Sequence, residues 1–270
     1  MTYKICITTD KGNVKSVNQD STMAKVASTS KYGKIALGVM CDGMGGLACG
    51  EVASTMAIRA MENWFVTGLP LALSRENSTE RLDTAKESDI ITEIEHQWQM
   101  LVQDINKEIR EYGEENKLML GTTMVAIILI DGGFLALNVG DSRIYGITDN
   151  DITLLTHDQS LVQDMMDKGL MTSKEAEESP QASVLLQCIG ASDVVIPQLV
   201  RGEVTKDTSF ILCSDGFWRK QSMEELAIAL STRNGHSEEE MKMAHEDLIA
   251  LVKERGETDN ISVVEICANL

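Results

Sequence analysis

Five aspartates stand at the edges of hydrophobic runs in this chain. Ile35-Ala36-Leu37-Gly38-Val39-Met40-Cys41 delivers Asp42-Gly43-Met44-Gly45-Gly46. Leu135 to Gly140 delivers Asp141-Ser142-Arg143, and Phe210 to Ser214 delivers Asp215-Gly216. Asp259-Asn260 comes just before Ile261-Ser262-Val263-Val264, and Asn18-Gln19-Asp20 lies near the first hydrophobic run. One Asp-Gly alone is an ordinary turn after a strand. Several together imply more. Strands of one sheet pack side by side, so carboxylates at neighbouring ends crowd one volume and repel unless cations sit between them. Carboxylates, carbonyls and water, with no His or Cys, suit a hard divalent ion, Mg²⁺ or Mn²⁺, better than zinc. Two such ions bridged by water form a hydrolytic centre that generates hydroxide near neutral pH and clamps a phosphoryl oxygen.

No other constellation competes. The four histidines, His96, His157, His236 and His245, show neither metal spacing nor a partnered Ser or Cys. Neither G-x-x-x-x-G-K-[ST] nor G-x-S-x-G occurs. Gly45-Gly46 would let backbone approach a ligand, which on its own is weak evidence. Cys41 and Cys213 adjoin the aspartates, where buried strand thiols are usually inert.

The elements that must carry these residues follow from periodicity. Short apolar runs at 3–9, 22–28 and 34–41 read as strands, as do 121–130, 133–140 and 143–148, with Asp131-Gly132 as a hairpin turn. Further strands are expected at 208–214 and 261–267, and a weaker one at 195–201. Val52, Met56, Ala60 and Trp64 recur at helical spacing, as do Ile94, Trp98, Leu101, Ile105 and Ile109. Ser222-x-x-Glu225 and Ser237-x-x-Glu240 are capping boxes that open helices over 222–231 and 237–254. Trp64 and Trp98 fall on helix faces and read as core, and the polar stretch 74–89 reads as a surface loop. Strands grouped in hairpins with helix pairs between them predict an α+β protein of antiparallel sheets covered by helices. No Pro/Gly/Ser-rich linker divides residues 1–270, so one domain is expected.

The chain of 270 residues carries 42 acidic and 24 basic side chains, a formal charge of −18. Such a surface repels phosphate backbones and anionic membranes, and no basic stripe offsets it, so neither is expected as a partner. The longest greasy run, Met124 to Ile130, is too short to cross a bilayer. Six cysteines without a C-x-x-C pair, and an N-terminus without an apolar signal region, predict a cytoplasmic protein.

In order and spacing, these motifs resemble the metal-dependent protein serine/threonine phosphatases of type 2C, the PPM family. The likeness runs through Gly12-Asn13-Val14-Lys15-Ser16-Val17-Asn18-Gln19-Asp20, Asp42-Gly43-Met44-Gly45-Gly46 and Gly121-Thr122-Thr123. It continues through Gly140-Asp141-Ser142-Arg143, Ser214-Asp215-Gly216 and Asp259-Asn260-Ile261-Ser262-Val263. The segment from Leu155-Thr156-His157-Asp158 to Ile189-Gly190 is similar to the flap subdomain of bacterial members, about residues 158–192. His157 and Asp158 are either its hinge or ordinary loop residues.

The resemblance implies a four-layer α-β-β-α sandwich and a hydrolase for phosphoserine and phosphothreonine in proteins, opposing a serine/threonine kinase. It implies two Mn²⁺ or Mg²⁺ ions. Asp42 would bridge them, the carbonyl of Gly43 would join, Asp215 and Asp259 would hold one ion, and Asp20 would act through water. Asp141 with Asp215 matches the position of a weaker third metal. Attack on phosphorus would be direct, by the bridging hydroxide, with no phosphoenzyme. A monomer is expected, with phosphoproteins as substrates, a kinase among them, and a mobile flap gating the metals. Three positions depart from the family. Lys15 stands where an arginine usually grips phosphate in a bidentate fork. Gln19 replaces a usual Glu and removes one negative charge near the metals. Met44 replaces the His of many eukaryotic members and cannot act as an acid. Lys15 and Gln19 motivate a second reading, a pseudophosphatase that binds phosphoprotein without turnover. A third is an interaction domain whose acidic cluster is purely structural.

Overall fold

The computed structural model describes residues 1–45, 49–75, 89–149, 151–205, 207–231 and 237–269. Gly46, His236 and most of the expected 74–89 loop lie outside the described residues.

Eleven strands and eight α-helices are described. The strands are β1 (Thr2–Asp10), β2 (Asp20–Thr29), β3 (Gly33–Gly45), β4 (Leu120–Thr122), β5 (Met124–Ile130) and β6 (Gly133–Val139). They continue with β7 (Arg143–Ile147), β8 (Ile152–Leu154), β9 (Gln198–Glu203), β10 (Thr208–Cys213) and β11 (Ile261–Asn269). The helices are α1 (Gly50–Asn63), α2 (Leu69–Arg75), α3 (Ile90–Asn116), α4 (Leu161–Asp167), α5 (Ser173–Glu177), α6 (Asp215–Trp218), α7 (Met223–Ala229) and α8 (Glu238–Glu254). A π-helical turn at Trp64–Gly68 joins α1 to α2.

One sheet has the order β1-β11-β10-β7-β8 and the other β2-β3-β5-β6-β9, with β4 added to β3, and every pairing is antiparallel. The β5–β6 hairpin shows why they stack. All seven residues of each strand are buried, because each face of this sheet has its own cover. Met124, Ala126, Ile128 and Ile130 point into a core shared with α1, α2 and α3. Val125, Ile127 and Leu129 point into a core shared with Phe210, Leu212, Val264 and Ile266 of the opposite sheet. Period-2 alternation therefore feeds two apolar layers rather than one core and solvent. The outer face of the β1-β11-β10 sheet packs Ile211 and Val263 against Leu226 of α7 and Leu248, Ile249 and Val252 of α8. The result is the four-layer sandwich expected.

Local signals are met where chemistry is local. Asp131 and Gly132 both adopt positive φ (53° and 74°), as a type I′ hairpin requires. Both capping boxes form, at Ser222/Glu225 and Ser237/Glu240. Trp64 and Trp98 meet edge to face in the core, with centroids 5.4 Å apart.

Three expectations change. The run 34–41 does not stop at the aspartate: β3 continues to Gly45, because β4 pairs Thr122 with Gly43 and Leu120 with Gly45. The run 121–130 is two strands, interrupted at Thr123. Ser214-Asp215-Gly216 is not a simple turn but the entry to the helical turn α6.

Candidate metal centre

Asp20 and Asp42 sit directly opposite each other in the β2–β3 register. Opposed residues of antiparallel strands project to one face, where like charges are destabilising. The position of Asp42 is fixed through its backbone. Thr123 Oγ1 accepts from the Asp42 amide (3.0 Å), and Thr122 Oγ1 donates to the Asp42 carbonyl (2.9 Å). At Gly43 a Cβ would fall 2.2 Å from the Gly50 carbonyl oxygen and 2.5 Å from that of Gln19, so only bare backbone fits there.

The other three aspartates arrive from elsewhere in the fold. Asp141 lies in the crossing from β6, in one sheet, to β7, in the other. Trp218 Nε1 holds its carbonyl at 3.1 Å. Asp215 opens α6 at the end of β10, and Asp259 precedes β11. The Asp259 amide donates to Glu257 Oε1 at 3.0 Å. The centre therefore lies across the seam between the sheets.

Five carboxylates in this space cannot all ionise comfortably. Burial, then the charges of Asp20, Asp215, Asp141 and Asp259, push Asp42 well above the usual range. Asp20 rises to about 7, through burial first and then the charges of Asp215 and Asp259. Asp141 rises to about 8, by burial first and then by Asp215 and Asp158, against the pull of Arg219. Asp215 is raised by burial, with Asp259 and Glu257 adding to it and Arg219 opposing. Both oxygens of Asp20 and Oδ1 of Asp215 are buried without a hydrogen-bond partner.

Two cations of the chain reach in. Lys15 Nζ lies 3.0 Å from Asp259 Oδ1. Burial works against its charge, but Asp259, Asp42 and Asp215 outweigh this and hold its pKa above the ordinary lysine value. Arg219 pairs with Oδ2 of Asp215 and stands 3.8 Å from Oδ2 of Asp141. Among the described residues, no three His, Cys, Asp or Glu side chains converge as they stand into a set that could hold an ion.

The donor set still fits two hard divalent ions. It offers carboxylates alone, unpartnered buried oxygens at Asp20 and Asp215, and a side-chain-free peptide at Gly43. It does not fit a third ion between Asp141 and Asp215, where the guanidinium of Arg219 stands.

The departing residues are all at the centre's margin. Gln19 donates from Nε2 to Glu51 at 3.3 Å, and its amide donates to Asn260 Oδ1 at 2.9 Å. Met44 lines a cavity of about 670 Å³ together with Arg110 of α3 and Leu185 and Cys188 of the 158–192 segment. That segment is fastened at both ends: the Gln159 amide donates to the Gly140 carbonyl (2.8 Å), and Ile189 and Thr122 exchange backbone bonds (2.8 and 3.0 Å). Asp158 is no ordinary loop residue, for it makes a buried fork with Arg143, Nη2 to Oδ2 at 2.9 Å. Cys41 and Cys213 are fully buried, and burial raises both thiols, as expected of inert strand cysteines.

Sequence reasoning passed over Arg219, Trp218 and Glu257. Arg219 carried a readable signal, since it follows Asp215 by four residues, the spacing of a helical ion pair. Glu257, only 5% exposed, carried none.

The family described as protein phosphatase 2C has a model that matches residues 10–254. Serine/threonine phosphatase Stp of Listeria innocua is 30% identical over 265 residues, covering 97% of this chain and 94% of that protein. A solved serine/threonine phosphatase of S. agalactiae superposes with a TM-score of 0.77 at 28% identity, covering 98% of this chain and 99% of that one. The catalytic domain of serine threonine protein phosphatase PstP, solved in complex with two manganese ions, gives 0.73 at 27% identity with 99% of each chain covered.

Proposed function

The chain belongs to the protein phosphatase 2C family of serine/threonine phosphatases, and on that premise we propose how its own residues carry out the reaction. The observation that supports this reading most is Asp20 beside Asp42, with both Asp20 oxygens buried and unpartnered, a site that demands cations. Asp42, the Gly43 carbonyl, Asp215 and Asp259 would hold two Mn²⁺ or Mg²⁺ ions, and Asp20 would contribute through water. When bound, such ions supply a Lewis-acidic centre that lowers the pKa of water and draws charge from phosphoryl oxygens.

The chain's residues do the rest. Thr122 and Thr123 fix the Asp42 peptide, so that its carboxylate does not reorganise during the reaction. Lys15, held at the rim by Asp259, presents an ammonium to the phosphoryl oxygens of a phosphoserine or phosphothreonine. Met44 gives no proton, so the departing alkoxide takes one from water or another group.

Residues 1–270 act as one catalytic unit, with 158–192 as a flap over the site. The protein works in the cytoplasm as a monomer on phosphoproteins, a serine/threonine kinase among them, and not on nucleic acid or membrane. Among the described residues no helix is long and apolar enough to cross a membrane.

The test is hydrolysis of a phosphothreonine peptide with Mn²⁺, with Mg²⁺ and with EDTA. Phosphate release with metal and none in EDTA is the expected result. Folded, metal-loaded protein that releases none would instead be a pseudophosphatase.

Lys15 gives a sharper prediction. Lys15→Arg should lower KM for the peptide by about tenfold with a smaller change in kcat, since one further charge-assisted hydrogen bond contributes about 1.5 kcal/mol. Steady-state kinetics with an unchanged KM would remove Lys15 from the phosphate site.

A further inference from the structure

Arg219 occupies the space between two carboxylates that the two-ion reading leaves unused together. It is the residue that ends α6, one turn beyond Asp215, and its amide donates to the Asp215 carbonyl at 2.9 Å. Its guanidinium pairs with Oδ2 of Asp215 and faces Oδ2 of Asp141 at 3.8 Å. Oδ1 of Asp215 remains buried and unpartnered. The arginine thus engages one oxygen of Asp215 and leaves the other for an ion.

The neighbouring residue keeps this arrangement in place. Trp218 donates from Nε1 to the Asp141 carbonyl, and its ring lies beneath the Arg143 guanidinium at 3.3 Å. Arg143 is locked in turn by its fork with Asp158. The Trp218-Arg219 pair therefore holds Asp141 by its backbone through the indole, while the guanidinium faces its carboxylate at 3.8 Å. An arginine keeps its charge at any working pH. A divalent ion entering the same space would meet that charge at close range and would have to displace it.

We propose that Arg219 is a built-in cation that takes the place of a third metal ion between Asp141 and Asp215, so that this protein binds two ions and no more. Arg219 is then a positioning residue: it orients Asp215 and neutralises Asp141 without touching substrate. The proposal rests on the two-ion reading above.

The experiment is a calorimetric titration of metal-free protein with Mn²⁺, counting ions per chain, on wild type, Arg219→Ala, Arg219→Lys and Asp141→Ala. Wild type should take two ions. Arg219→Ala should take a third, weaker one, which Asp141→Ala added to it should abolish. Arg219→Lys, which keeps the charge, should return the count to two. Wild type that takes three ions, and loses one on Asp141→Ala, overturns the proposal without any variant at Arg219. Folded Arg219→Ala that still takes only two also overturns it. Wild type that takes none defeats the two-ion reading itself. Circular dichroism separates an unfolded variant from a folded one, and if Arg219→Ala does not fold, the wild-type and Asp141→Ala counts decide alone.

Discussion

Asp215→Asn should cut turnover of a phosphothreonine peptide by about a thousandfold, the several kcal/mol that a metal centre contributes to stabilising transition-state charge. The substitution keeps the shape and removes the charge. In the metal-free protein that charge is a burden, because burial and the carboxylates of Asp259 and Glu257 oppose it. Asparagine relieves that repulsion, although Arg219 loses its ionic partner. Thermal melting in EDTA should therefore differ little between variant and wild type, while kcat/KM with Mn²⁺ collapses. Two assays on the same preparation give the answer. A variant that melts far below wild type in EDTA would make the acidic cluster a structural element, as the interaction-domain reading requires. A variant that keeps full turnover would take Asp215 out of the centre.

The second large effect lies away from the metals. His245, on α8, is wholly buried beneath the outer face of the β1-β11 pair. Its Nε2 meets Glu265 Oε2 at 3.0 Å, and its Nδ1 meets Thr8 Oγ1 at 3.0 Å. Burial disfavours the imidazolium, but the Cys6 thiol and the Glu265 carboxylate outweigh it and raise the pKa from 6.5 to about 9. Glu265→Ala would leave that cation buried alone, a loss of about 3–5 kcal/mol. At about 2–4 °C per kcal/mol for a chain of this size, Tm should drop by roughly 10 °C.

The pH dependence has a definite sign. The folded pKa lies above the unfolded one, so the pair's contribution is complete below pH 6.5 and is lost as pH rises through about 9. Urea unfolding across that window should show both proteins losing stability as Asp20 and Asp141 ionise, with the gap between wild type and the His245→Leu/Glu265→Leu double variant shrinking as pH rises through about 9. Parallel curves for the two proteins would mean that the pair is uncharged.

Legibility in the sequence followed the range of the interactions. Asp131-Gly132, Ser222/Glu225 and Ser237/Glu240 act within four residues, and all three formed as read. The break at Thr123 did not show, because it depends on Asp42, far away in the chain, whose carbonyl accepts from both Thr122 and Thr123. The aspartates were visible because each adjoins a strand. Their order in space was not, since the facing of Asp20 and Asp42 is a matter of register, which a list of residues does not contain. Arg219 went unseen for a related reason. Asp215-Gly216 taken alone reads as a turn, and the four-residue spacing to Arg219 becomes a signal only where a helix is expected. Glu265 reads as a charge on an otherwise apolar strand, and only the arrival of α8 explains it.

The pairing of β1 with β11 runs over nine residues, from Thr2 opposite Asn269 to Asp10 opposite Ile261. On the ribosome, β1 emerges long before its partner. At roughly 5–20 residues per second, β1 waits some tens of seconds for the strand that completes its sheet. Asp20 and Asp42 emerge early, but Asp259 follows more than 200 residues later. A chain that has not yet reached Asp259 therefore carries an incomplete set of the carboxylates proposed to hold metal, and should release no phosphate. Such a chain would need no inhibitor to keep it silent.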